Sequence, residues 1–381
     1  MNLQKEYWRN VKFENLVFNI SERVEPNNTT LQKYIGLEHL DPRNIKIQRY
    51  GSPDEVIGTK LKIYKGDIIF GKRRAYQRKA AIADFDAICS AHSMVLRANE
   101  KEININYLLA FIHSDLFMNR AIEISEGSLS PTIKWKTLAK EIFPLPPLDE
   151  QKQIANLFQS IETPLEQLEG LEIKLKTLLQ SLIYGLVCPK PVFGNLLDSN
   201  NCNLTTFGEI AECDKKYPEH FKEITRFIGL ENIESGNFQL QGWGDTANGT
   251  TFTKRFTKGD ILFGKRRAYL KKVAIADFDG LCSGDILVIR AKDKNILQEL
   301  LQFYISSDAF MQHAVSTSAG SLSPRTKWKD LAELEVSIPD LKIQAKILEV
   351  LQQIETTVSL LKQQKTTLKN LKEKLLNDIL G

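Results

Sequence analysis

GDIIFGKRRAYQRKAAIADFDAICSAHSMVLRA, residues 66–98, returns as GDILFGKRRAYLKKVAIADFDGLCSGDILVIRA at residues 259–291, with 22 of 33 positions identical. Working outward, residues 35–188 match residues 228–381 without a gap at an offset of 193. Phe13-Glu14-Asn15-Leu16 resembles Phe207-Gly208-Glu209-Ile210 at an offset of 194, so the duplication covers nearly the whole chain. A tandem duplication predicts two similar lobes, and two similar lobes predict a target with two similar halves. The poorest match is 38–64 against 231–257. Any difference in what the halves read is expected to concentrate there.

Length and composition set the class. A chain of 381 residues with 42% hydrophobic and 26% charged residues is that of a soluble globular protein of two or three domains. MNLQKEYWRN at the start has no apolar run of signal-peptide length, and no stretch approaches the roughly 18 apolar residues of a membrane span. A cytoplasmic location with no membrane partner is expected. The five cysteines, at 89, 188, 202, 213 and 282, form no C-x-x-C and lie near no histidine cluster, so neither zinc nor a disulfide framework is indicated. Cys89 and Cys282, in apolar strand-like sequence, read as buried thiols.

The positive charge is focused. Residues 66–79 and 259–272 each hold five basic residues and one acid, while the whole chain nets only +4, so the remainder is net acidic. Two equivalent basic spots suit a polyanion held at defined places.

Each copy reads as a globular part followed by a long helix. Short β-branched runs, such as Lys60 to Phe70, Ala80 to Ala83 and Met94 to Arg97, predict strands, and Asn106 to Glu123 predicts one helix. Pro144, Pro146 and Pro147 close the first lobe. Beyond them Ile154, Ile161, Leu168, Leu175 and Leu182 recur every seven residues, with Leu157, Leu171 and Leu178 at the complementary position. Ile347, Ile354, Leu361, Leu368 and Leu375 repeat the register, joined by Val350 and Leu371. Five heptads specify a coiled-coil seam, and about 37 residues from Asp149 would make a rod about 56 Å long. Two seams in one chain satisfy each other most simply by pairing antiparallel, with the lobes at opposite ends about a pseudo-twofold axis. The alternative is two amphipathic helices packed on their own lobes. Thr163-Pro164-Leu165-Glu166 also reads as a cap, a first-turn proline and a capping-box acid, which would split the first rod. The fold class expected is α+β, two similar α/β lobes and two long helices. The boundaries are 1–145 and 190–338 for the lobes, 146–189 and 339–381 for the helical regions.

Gly66 to Arg73 and Gly259 to Arg266 fit G-x-x-x-x-G-K, but arginine stands where a magnesium-binding hydroxyl belongs and the intervening residues are strand-like, so no nucleotide site is read. The KRRAY loop is either a solvated hairpin tip or a nucleic-acid contact. Its retention in both copies, its charge and its interleaved tyrosine favour contact, since arginine forks bases or phosphates and aromatic rings stack. The candidates are Lys72, Arg73, Arg74, Tyr76, Arg78 and Lys79 with Lys265, Arg266, Arg267, Tyr269, Lys271 and Lys272. A second matched loop, Glu126 to Pro131 continuing to Lys134-Trp135-Lys136, is mirrored by Ala319 to Pro324 and Lys327-Trp328-Lys329. It adds Ser128, Ser130, Lys134, Ser321, Ser323 and Lys327, and fits a packed turn equally well. Asp84 and Asp86, with Asp277 and Asp279, suit a turn better than catalysis. With no methyltransferase, nuclease or helicase motif, the chain reads as a binder and not an enzyme.

Two DNA-reading lobes with paired helices resemble the specificity subunit of type I restriction-modification enzymes. The carrying residues are Gly66-Asp67-Ile68-Ile69-Phe70 and Leu145-Pro146-Pro147-Leu148-Asp149-Glu150-Gln151, with Gly259-Asp260-Ile261-Leu262-Phe263 and Ile338-Pro339-Asp340-Leu341 plus Gln344 as second copies. The second copy departs from the first where Lys342-Ile343 replace Asp149-Glu150. The resemblance covers the full chain. It implies a non-catalytic subunit that chooses a bipartite, interrupted, near-palindromic site in double-stranded DNA. It also implies modification subunits carrying S-adenosylmethionine and restriction subunits using ATP and Mg, with no cofactor in this chain. A type IIB-like enzyme's specificity subunit and a free-standing DNA-binding regulator are the alternatives.

Overall fold

The computed structural model describes residues 3, 5–187, 197, 202–214, 224–292 and 295–381. Cys188 and the boundary expected at 189/190 lie outside the described residues. The chain forms two compact units, 1–169 with 363–381, and 170–362.

In the first unit an antiparallel sheet runs Val17–Ile20, Ser93–Ala98, Ile68–Gly71, Ala80–Ile82. A second sheet runs Arg23–Val24, Lys60–Ile63, Ala87–Cys89, Tyr34–Ile35, the last pair parallel. The apolar run of the opening motif is explained by its two buried faces. Ile68 and Phe70 point into the core shared with the helices, while Ile69 points into the core under the second sheet. The second unit repeats this with Ile261 and Phe263 on one face and Leu262 on the other. Asp67 explains the G-D of the motif. It is buried, accepts Tyr64 N–H at 2.9 Å, and takes a two-pronged bond from Arg97 at 2.8 and 3.0 Å. Asp86 and Asp279 accept the Lys65 and Lys258 amides, each at 2.8 Å, so these carboxylates shape turns.

The run expected as one helix is two, Ile105–His113 and Asp115–Glu123. Ser114 breaks it: its hydroxyl donates to Phe111 C=O at 2.7 Å and accepts Phe117 N–H at 3.3 Å, capping the second segment. The turn brings Phe111 and Phe117 against Phe13 and Phe143, with ring centroids 5.1–5.9 Å apart.

The two long helices are Leu148–Val187 and Leu341–Leu380. Each begins at a buried glutamine that ties it to its lobe. Gln151 accepts Asn104 N–H at 2.8 Å and donates to Pro146 C=O at 2.9 Å; Gln344 accepts Leu297 N–H at 2.9 Å and donates to Pro339 C=O at 2.9 Å. Asp340 caps the second helix through Ile343 N–H at 2.9 Å, and Ile343 packs on the core where Glu150 instead accepts the Trp8 indole N–H. In the first unit Ile154 and Phe158 share a core with Leu376, Ile379 and Leu380, and Glu162 meets Lys372 while Glu169 meets Lys365. Rising numbers on one helix meet falling numbers on the other, so they run antiparallel. In the second unit Leu182, Ile183, Leu186 and Val187 pack with Ile347 and Leu351.

The seam differs from the sequence expectation in its second row. Ile154, Ile161 and Leu182 are buried, as are Ile347 and Leu361, but Leu171, Leu178, Val350 and Leu371 are 43–45% exposed. The complementary row is Phe158, Leu165 and Leu186 on the first helix and Leu351, Val358 and Ile379 on the second. A 3.5-residue repeat alternates steps of three and four, and packing takes the step of four from Ile154 to Phe158. Pro164 also fails to split the first helix, which is continuous through it. Its ring removes one intrahelical bond, and the flanking apolar contacts of Ile161 and Leu165 hold the helix together.

Within the first unit, residues 41–48 face the helix pair across a cavity of about 450 Å³ lined by Arg43, Lys46, Glu166 and Lys372 among others. Arg43 bonds Glu373, Lys46 bonds Glu166 at 2.7 Å and Gln48 bonds Glu169 at 3.0 Å. This stretch lies in the poorly matched segment expected to carry differences in reading. Here its side chains fasten the lobe to its helices.

Candidate nucleic-acid interface

The KRRAY loop joins Ile68–Gly71 to Ala80–Ile82 as a hairpin, with Ile68 opposite Ile82 and Phe70 opposite Ala80. Its tip is a single 3₁₀ turn, Ala75–Gln77, bracketed by left-handed Arg74 (φ 55°) and Arg78 (φ 52°). The second lobe builds the same turn between Arg267 (φ 54°) and Lys271 (φ 50°). Ala75 and Ala268 are buried beneath it, and Tyr76 and Tyr269 stand out at 54% exposure each.

The second matched loop packs directly on the first. Arg74 N–H donates to Pro131 C=O at 2.7 Å and Ile133 N–H to Lys72 C=O at 2.9 Å; Arg267 and Pro324 repeat the former at 2.7 Å. The two loops form one surface. Ser130 Oγ accepts Arg73 Nη2 at 3.3 Å and Arg74 Nη2 at 3.2 Å, and Ser323 Oγ accepts Arg266 Nη2 at 3.1 Å. A serine hydroxyl therefore orients the guanidinium forks of Arg73, Arg74 and Arg266. Trp135 and Trp328 also plug the core, 6.1 Å from Phe13 and 5.7 Å from Phe207. The packed-turn reading of this loop holds at its tryptophan, while Ser130 and Ser323 meet the arginines of the first loop.

The structure sorts the basic candidates. Arg73, Arg74, Arg266 and Arg267 line the shared surface, while Lys72 and Lys265 lie half-buried beneath it. Burial holds the Lys72 ammonium below the usual lysine range. Lys79 and Lys272 turn away, donating to Leu37 C=O at 2.6 Å and Leu230 C=O at 2.5 Å. Arg78 pairs with Asp115, and Lys271 with Asp308 at 2.6 Å. Lys134 bonds Glu126 at 2.5 Å, whereas the counterpart of Glu126 at Lys327 is Ala319. Ser128 and Ser321 are exposed at the loop tips.

Sequence reading missed one set. Arg73 Nη1 lies 3.4 Å from His92 Nε2; in the second lobe Arg266 lies 3.6 Å from Asp285, which takes a two-pronged bond from Arg325 at 2.7 and 3.1 Å. Burial, then Arg73, lowers the His92 pKa, and the Arg325 bond lowers that of Asp285. A neutral imidazole thus stands where the second lobe holds a carboxylate. The signal was present, since His92 against Asp285 is the one change of charge character within the 33 matched positions.

Among the described residues, no group of three or more His, Cys, Asp or Glu is placed to hold a metal ion, and no helix is long and apolar enough to cross a membrane. Cys89 and Cys282 are fully buried, which pushes both thiols up to about 12.

The family description "Type I restriction modification DNA specificity domain" fits residues 24–177 and 203–370. The chain is 30% identical to the type I restriction enzyme EcoDI specificity subunit of Escherichia coli over 163 residues, 41% of this chain and 35% of that protein. It is 25% identical to the StySPI specificity subunit of Salmonella potsdam over 350 residues, 82% of this chain and 70% of that one. The crystal structure of a type I restriction-modification S subunit from M. genitalium superposes with a TM-score of 0.62 at 14% identity, covering 100% of this chain and 98% of that one. A chain from a study of complex assembly and conformational transition in a type I system gives 0.55 at 20% identity, covering 97% and 96%.

Proposed function

The chain belongs to the type I restriction-modification DNA specificity family, matched over both of its halves, and from that premise we propose how it reads DNA. Each lobe reads one half of an interrupted duplex site through its arginine–serine surface, and the paired helices fix the unread spacer. The chain performs no chemistry itself. Modification subunits supply S-adenosylmethionine, and restriction subunits supply ATP- and Mg-dependent translocation and cleavage. The observation that carries this reading is the building of one arginine–serine surface twice, from the two loops that the duplication left almost unchanged. Guanidinium forks suit guanine edges or phosphates. The shared surface favours half-sites that are near inverted repeats, with a difference at the base pair facing His92 in one lobe and Asp285 in the other, since a carboxylate accepts the cytosine amino group.

Mapping methylated adenines in the native host, with and without this gene, tests the proposal. Loss of methylation at one interrupted motif is the expected outcome, and an unchanged map in a host with an active system would sink it. On that motif Arg73→Ala should cost about 1–3 kcal/mol at one half-site if the contact is bidentate to a base. Equal weakening on all sequences, with a shallower salt dependence, would make it a phosphate clamp.

A further inference from the structure

We propose that Leu129 and Leu322 read thymine, each placing its apolar side chain against the C5-methyl group of a thymine in the major groove. The inference rests on the reading that the arginine–serine surface faces DNA. It assigns one base to each half-site.

Leu129 is 90% exposed and Leu322 is 89% exposed. A lone exposed leucine carries no message. These two occupy equivalent positions, and of the apolar pairs that both copies keep exposed, such as Tyr76 with Tyr269 and Leu148 with Leu341, they are the most exposed among the described residues. Ile57 and Ile173, at 93% and 66% exposure, are Thr250 and Thr366 in the second copy. The leucines are kept where solvent gives no reason to keep them.

Their placement supplies the reason. Each sits at the tip of a loop closed by a reciprocal pair of backbone bonds, Glu126 with Thr132 at 3.1 and 2.9 Å and Ala319 with Arg325 at 3.0 Å both ways. Gly127 (φ 107°) and Gly320 (φ 111°) make the turn. The loop is thus ordered before any ligand arrives, and binding costs it little entropy. One residue along, Ser130 and Ser323 hold the guanidinium groups of Arg73, Arg74 and Arg266. Positive charge draws the duplex to the loop and sets a leucine at its centre. In the major groove the thymine methyl is the apolar group that a base edge presents, so the side chain there discriminates by its contact with that methyl. Burying part of a leucine against a methyl group corresponds to about a three- to tenfold change in affinity.

The test uses the full chain assembled with its modification subunits and the duplex identified by methylation mapping. Thymines of each half-site are replaced one at a time by deoxyuridine, which lacks only the methyl group. Wild type is expected to lose about three- to tenfold affinity at one thymine per half-site. Leu129→Ala should bind equally weakly with and without the methyl at one of them, and Leu322→Ala at the other. Leu→Met at either position should keep the methyl sensitivity. The proposal is overturned by a half-site without thymine, by wild type indifferent to every methyl, or by variants that remain methyl-sensitive. Variants that bind DNA normally but fail to assemble with the modification subunits would make the loop tip a protein contact, which also overturns it. If the Arg73→Ala/Arg266→Ala double variant binds the target like wild type, the reading beneath it fails. If that variant falls and the leucine variants do not, only this inference fails.

Discussion

The first lobe grips its helices with Arg43, Lys46 and Gln48, and beside them Lys372 pairs with Glu162 in a buried position. At the equivalent positions the second copy has Gly236, Gln239 and Gln241, and Leu179 with Glu355. At the arginine–serine surface the copies instead share their backbone, with left-handed residues at Arg74, Arg78, Arg267 and Lys271, and the serine that takes Arg73 in one lobe and Arg266 in the other. The segment in which the copies differ most, 38–64 against 231–257, includes the residues by which the first lobe meets its helices. In the two loops the copies differ at Gln77/Leu270, Arg78/Lys271, Glu126/Ala319, Thr132/Arg325 and Ile133/Thr326, and beside them at His92/Asp285, where Arg325 bonds Asp285 in the second lobe.

The largest test of this contrast is Lys372→Met. It leaves Glu162, 8% exposed, charged and alone, and should cost about 3–5 kcal/mol in urea unfolding of the first unit. Replacing both partners by leucine should be close to neutral, because no buried charge is then left unpaired. A cost for Lys372→Met no greater than for an exposed lysine would mean that the two helix ends differ in sequence without differing in energetics.

Next in size is an exchange at the reading surface. Asp285→His with Arg325→Thr gives the second lobe the side chains of the first, and sequence selection should show the second half-site shifting toward the first at one base pair, by about 1–3 kcal/mol. An unchanged preference would move the discrimination elsewhere in the lobes.

The smallest effect concerns Glu355, with which no cation is paired among the described residues. Burial pushes its carboxyl from 4.5 up to about 7. The folded state then holds a proton that the unfolded chain releases, so its contribution to stability is full below about 4.5 and is lost as pH rises through about 7. Glu355→Gln should stabilise the protein by on the order of 1 kcal/mol at about pH 8 and leave it unchanged at about pH 4, read as a shift in urea midpoint. An equal shift at both pH values would trace the effect to packing.

Much of this was legible because the sequence is written twice. The hairpin around KRRAY, the heptad row from Ile154 and the motif ending in Gln151 stood out as paired patterns, and local geometry suffices to place them. What was not legible depended on distant partners. Arg78 and Lys79 look like ligand-binding charges until Asp115 and the Leu37 carbonyl come near. Leu157 and Phe158 are both apolar, and which of them enters the seam is settled by Leu376 on the other helix. His92, Thr132 and the basic loop lie far apart in the chain and meet only when two loops pack.

The left-handed residues of the reading loops carry a consequence for engineering. A non-glycine residue in that region costs roughly 1 kcal/mol, and glycine avoids the cost. The chain uses glycine where no charge is wanted, since the position of Arg43 (φ 60°) is Gly236 (φ 73°) in the other copy. At Arg74, Arg78, Arg267 and Lys271 it keeps the cation instead. On the proposed reading, glycine at Arg74 or Arg267 would therefore return a sturdier protein that had lost its address, whereas at Arg78 and Lys271 it would also break the ion pairs with Asp115 and Asp308.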